Sequence, residues 1–174
     1  MNQAIKQFQK RFGSRALAIC LCSLGACSTI EHIGKTDPTF NLADHAQYLQ
    51  SGLAAIRGTV AVGTGVNPQS CIGGVVYLMP DTPFFESKVG YAASGDSPED
   101  LGLQDDRLDH IVRRAQCDIA GQFAFDGLPE AHWVILATLS MPKGANGPAL
   151  VARVVTQPGL TQQVTLNEAN LLKK

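Results

Sequence analysis

From position 54 onward the chain runs in short stretches where apolar and polar residues alternate, with glycine or proline at the breaks. Ile56, Gly58, Val60 and Val62 alternate with Arg57, Thr59 and Ala61, the period of two expected of a half-buried strand. Gly63, Gly65 and Pro68 mark a turn, and residues 71–79 form a second strand that Pro80 stops. Residues 111–118 predict another strand, Gly121 a turn, and Phe123 and Phe125 the inward face of a short strand. Residues 132–139 are apolar on both faces, as in a central strand covered from both sides. Residues 149–156 and 160–166, joined at Pro158-Gly159, read as a final strand pair. Strands at this spacing, about seven in all, predict an all-β sandwich.

Two regions break the pattern. Residues 81–109 are too long and polar for a hairpin loop. Ser97-Pro98 there looks like a helix cap and first position, so a long, partly helical insertion with one short helix is expected. Residues 28–53 read as a tether, either a spacer or one with a short helix over 41–50 capped by Asn41.

The first 26 residues have a different character. Lys6, Lys10, Arg11 and Arg15 precede an apolar run over 16–26, and no acidic residue interrupts them. A basic segment, a short apolar segment and small residues at its end are the parts of a secretory signal. The run is too short to cross a hydrocarbon core of about 30 Å. It ends in Leu24-Gly25-Ala26-Cys27, which resembles a bacterial lipobox. The resemblance implies cleavage before Cys27, with the Cys27 thiol carrying a diacylglyceryl group and its new amine acylated. Ser28, standing where that family uses Asp for inner-membrane retention, implies the outer membrane, on the periplasmic side.

Composition acquires meaning only after this cut. The whole chain has a formal charge of −1, and four basic residues leave with the signal, so the mature chain of 148 residues carries −5. Neither value suits a nucleic-acid-binding protein. Of five cysteines, Cys20 and Cys22 leave with the signal and Cys27 is lipidated. Cys71 and Cys117 remain, an even pair in an oxidising compartment, and a disulfide between them is expected. Two free thiols or a metal site are the alternatives.

Four segments together resemble a carboxypeptidase regulatory-like domain. They are Ile56-Arg57-Gly58-Thr59-Val60, residues 74–80, residues 117–129 (containing Asp118, Gly121, Phe123, Phe125 and Leu128-Pro129) and residues 133–137. The resemblance implies a seven-stranded, transthyretin-like sandwich without catalytic machinery. Glu130-Ala131 departs from it, since that family has a glycine before the aromatic residue. The organisation expected is a signal peptide at 1–26, a lipidated N-terminus and tether at 27–53, the sandwich at 54–167 and a tail at 168–174.

The residues offer little for catalysis. His32, His45, His110 and His132 are scattered, and no HExxH or GxSxG motif occurs. Asp105, Asp106, Asp109 and His110 could share helix faces and hold a metal, but a solvated helix end neutralised by Arg107 explains them as well. Arg113-Arg114 could meet an anionic partner or simply solvate a strand. Tyr77, Phe84, Phe85 and Tyr91 are a candidate binding patch, or else pack the insertion onto the sandwich. No metal, cofactor or catalytic residue is expected. The function expected is that of a non-catalytic, lipid-anchored structural or protein-interaction module with a protein partner in the envelope. The alternative is an accessory domain that binds carbohydrate or peptide through residues 81–109.

Overall fold

In a computed structural model, which describes residues 39–63, 69–94, 101–103, 105–140 and 146–173, the alternating segments pair into two sheets. Strands β1 (Ala54–Val60), β4 (Gln122–Leu128) and β7 (Thr161–Leu166) form one sheet in the order β4-β1-β7. Strands β2 (Val75–Pro80), β3 (Arg113–Gln116), β5 (His132–Ser140) and β6 (Asn146–Val155) form the other, in the order β3-β2-β5-β6. All pairings are antiparallel except β1 with β7. The seven-stranded sandwich expected from the sequence is the observed fold.

The core lies where the alternation puts it. Along β1 the burial alternates strictly, with Ala54, Ile56, Gly58 and Val60 inward. Gly58 is inward because Phe123 needs the room: a Cβ at this position would fall inside the Phe123 ring. Register places Val76, Leu78, Ile135 and Ala152 on one face of the larger sheet and Tyr77, Met79, Val134 and Leu136 on the other. Arg114 and Arg153 share the second face and reach the Leu103 carbonyl and Glu86, so that face lies under the insertion. This is why residues 133–137 are apolar on both sides, and all of them are buried.

The helix of the insertion is displaced from its expected place. Helix α1 covers Pro83–Ser94, whereas Ser97-Pro98 lies outside the described residues. Thr82-Pro83 carries the same cap-and-proline signal, and the Glu86 N–H donates to the Thr82 carbonyl at 2.8 Å. Phe85, Val89 and Ala92 recur at helical spacing and are buried. Full burial of Phe85 alone contributes roughly 2 kcal/mol.

The short helix expected over 41–50 is present, whereas the last strand pair needs correction. Within the segment expected to be a tether, Leu42–Leu49 form a 3₁₀ helix, and Asn41 caps it by accepting from the Ala43 N–H at 3.1 Å. Its His45 and Tyr48 are buried, and Tyr48 meets Trp133 edge-on with ring centres 4.9 Å apart. Residues 39–53 therefore pack on the sandwich. Strands β6 and β7 do not pair with each other. β6 runs against β5, while β7 crosses to the other sheet and lies parallel to β1. Alternation states which face of a strand is buried, not which neighbour it takes, so Pro158-Gly159 could not be read as a crossing rather than a hairpin. Similarly, the Asp118 turn joins β3 to β4 across the two sheets. Asp118 Oδ1 accepts from the N–H groups of Ala120 (2.8 Å) and Gln122 (2.7 Å), and Gly121 takes a φ of 75°.

Candidate binding groove and the cysteine pair

Cys71 and Cys117 are joined by a disulfide with Cα atoms 5.7 Å apart. It closes the end of the β2–β3 ladder, where the Gly73 N–H donates to the Cys117 carbonyl at 3.1 Å and the Cys117 N–H to the Gly74 carbonyl at 2.9 Å. Both half-cystines are buried. Cys27 and the signal expected over residues 1–26 lie outside the described residues.

The four aromatics expected as a candidate patch do not form one surface. Tyr77 and Phe85 are buried, Phe84 is half-buried, and Tyr91 is 39% exposed. Phe84 joins an aromatic cluster with Phe40, His45 and Phe85. His45 sits inside that cluster, its Nδ1 2.8 Å from the Asn41 carbonyl and its Nε2 3.0 Å from Thr82 Oγ1. The cluster thus fastens the 3₁₀ helix to α1.

Beside this cluster lies an open groove of about 790 Å³. Phe40, Leu42 and Leu49 form its apolar wall, and Asp106, His110 and Arg113 face them from the insertion and the start of β3. A neighbouring hollow of about 350 Å³ shares Phe40 and Arg107 with it and is also lined by Phe84 and Lys88. The groove is made where two segments outside the strand pattern meet, which is why strand alternation gave no sign of it.

Its charges are distributed unevenly. Asp105 caps the short 3₁₀ turn Asp106–Leu108 by accepting from the Arg107 N–H at 2.9 Å. It also receives the Arg107 guanidinium at 2.6–3.1 Å. The guanidinium hydrogen bonds, followed by that backbone bond, pull the Asp105 pKa down to about 2, so this pair is ionised and mutually neutralised at neutral pH. Asp109 is held by Arg114 at 2.8 Å. Two carboxylates of the acidic stretch considered as a metal site are thus taken by arginines, and no cluster of metal-binding residues occurs among the described residues. Arg57 pairs with Asp126, and Arg153 with Glu86 and Asp81. Arg113 is the exception among the arginines of the described residues: none of their carboxylates lies within 4.0 Å of it. Its Nη2 only grazes the Tyr48 carbonyl at 3.5 Å, and its Nε is buried without a partner.

A second, polar depression of about 440 Å³ lies on the outer face of the smaller sheet, among Arg57, Thr59, Gln122 and Gln163. Its arginine is taken by Asp126, and its Asp118 is spent on the turn. Unlike the groove, it offers neither an apolar wall nor an unpaired charge.

No protein-family model and no curated protein sequence matches the chain. Among solved structures, a candidate carbohydrate-binding protein of Pseudomonas aeruginosa is similar with a TM-score of 0.58 and 24% identity, over 75% of this chain and 99% of that one. A minor pilin of Streptococcus agalactiae (GBS52) gives a TM-score of 0.39 and 13% identity, over 68% of this chain and 44% of the pilin. At these identities the first likeness bears on the fold alone: the chain shares the β-sandwich architecture of the Pseudomonas protein.

Proposed function

We propose that this chain is a non-catalytic binding module for carbohydrate, held by lipid at Cys27 on the periplasmic side of the outer membrane. The groove carries the binding half of this reading. It combines an apolar wall, Phe40 with Leu42 and Leu49, and polar groups converging from the insertion, the usual make-up of a small-ligand site. Only Asp106 and Arg107 of the groove come from residues 81–109, where an accessory binding domain is expected to carry its site; its apolar wall comes from residues 40–49. The carbohydrate-binding role suggested for the Pseudomonas protein agrees with this reading. Glycan-panel binding by the full chain tests it. Retention of at least one saccharide, lost when Phe40 and Leu49 are both changed to Ser, is expected. Binding to none would refute it.

Export and anchoring rest on separate grounds. The lipobox-like Leu24-Gly25-Ala26-Cys27 supports lipidation, and the Cys71–Cys117 disulfide supports an oxidising compartment. Each buried CH₂ contributes about 0.8 kcal/mol, so several acyl chains would hold the protein on the bilayer stably. Cys27→Ser is expected to abolish labelling by radioactive palmitate and to leave the precursor uncleaved or the protein in the soluble fraction. Normal processing and membrane recovery of that variant would contradict the anchor.

A structural or protein-interaction role is the second reading. It draws on Leu53, 82% exposed, and Leu160, half-exposed, which immediately precede β1 and β7 of the smaller sheet.

A further inference from the structure

We infer that the groove selects acidic saccharides, with Arg113 as the residue that receives the carboxylate of a uronic acid. The inference deepens the carbohydrate reading above and rests on it.

The argument begins with the guanidinium. Guanidinium groups pair with carboxylates in a planar, two-pronged geometry that a lysine cannot reproduce. Arg57, Arg107, Arg114 and Arg153 each have at least one carboxylate partner within the chain. Among the described residues Arg113 has no such partner, although Asp105, Asp106 and Asp109 all lie nearby in the sequence. Asp109 is taken by Arg114, on the opposite face of β3, and Asp105 is committed to Arg107. Neither carboxylate is left to answer the Arg113 charge, and its buried Nε has no partner.

The rest of the groove suits a sugar ring bearing that carboxylate. Phe40 offers an aromatic face for the apolar C–H face of the ring, and its position is fixed by Phe84, whose ring centre is 5.2 Å away. Asp106 lines the same groove outside ion-pair range of Arg113 and is free to accept from ring hydroxyls, as is His110. A plain aliphatic carboxylate would carry no hydroxyls for Asp106 and His110 to accept from. A neutral saccharide would leave the Arg113 charge unanswered.

The test is calorimetric titration of the full chain in nonionic detergent with trigalacturonate, with maltotriose as the neutral probe. A peptide ending in a free leucine carboxylate is the third probe. Trigalacturonate is expected to bind at least tenfold more tightly than either. Arg113→Gln is expected to weaken it at least tenfold and Arg113→Lys by less, while Arg57→Gln, on the other sheet, leaves it unchanged. Thermal unfolding of Arg113→Gln shows whether the fold persists, and Asp106→Asn supplies a second variant, expected to weaken binding several-fold. Equal binding of maltotriose overturns the inference but leaves the carbohydrate reading standing. Tighter binding of the peptide, or binding indifferent to Arg113→Gln in a folded protein, overturns the inference. Failure of both saccharides overturns the inference, and failure across the glycan panel overturns the reading beneath it.

Discussion

Replacing Cys71 and Cys117 together by serine is expected to lower the stability of the sandwich by about 4 kcal/mol, the loop-entropy value for a bridge spanning 46 positions. At about 4 °C per kcal/mol for a domain of this size, the midpoint of thermal unfolding falls by roughly 15 °C. The effect has a structural side too. The bridge fastens the turn before β2 to the end of β3, and the chain between its two ends includes β2, α1 and the groove residues His110 and Arg113. Reduction therefore releases the outer layer at the point where it returns to the sheet. Thermal denaturation of the double variant, and of the unaltered chain with and without reductant, measures the difference. A fall of less than about 3 °C would show that the backbone bonds between Gly73, Gly74 and Cys117 hold this junction without the bridge.

The strands were legible because burial on one face leaves a period of two in the sequence, as in Ile56, Gly58 and Val60, or in Phe123 and Phe125. The both-sided burial of residues 133–137 was legible for the same reason. Partner choice was not: β6 and β7 look like a hairpin because a turn of Pro158-Gly159 is compatible with either a return or a crossing. Ser97-Pro98 suggests a helix start, but Thr82-Pro83 carries an equal signal, followed by Phe85, Val89 and Ala92 at helical spacing. That apolar stripe is what distinguishes the two sites. The groove was the least legible feature. Arg113 was visible only as one of two adjacent arginines, and what distinguishes them is that Asp109 reaches Arg114 and not its neighbour, a fact of three-dimensional position. Phe40 and Leu49 come from the segment that reads as a tether, so nothing in their local pattern joins them to the insertion.

Thr156→Val is expected to cost about 3 kcal/mol, although it keeps the branched shape of a fully buried side chain. The hydroxyl is a junction. Thr156 Oγ1 accepts from the Ala131 N–H at 3.1 Å and from Trp133 Nε1–H at 3.0 Å, and it donates to the Pro129 carbonyl at 2.6 Å. Valine keeps the branched shape and serves none of them, leaving buried donors without an acceptor at about 1–3 kcal/mol each, less whatever relaxation recovers. The site is also where the sequence departs from its family resemblance, at Glu130-Ala131. The bond from Thr156 to the Ala131 N–H holds the turn that a glycine was expected to make. Thr156→Ser keeps the hydroxyl and is expected to stay within about 1 kcal/mol of the parent. Since Trp133 is the chain's single tryptophan, its emission reports the site directly. Loss of the Nε1 bond in Thr156→Val should alter that emission and lower the unfolding midpoint by about 10 °C, both largely restored in Thr156→Ser. An unfolding midpoint and emission identical to the parent in the valine variant would mean that packing around Trp133, not the hydroxyl, fixes this end of the sandwich.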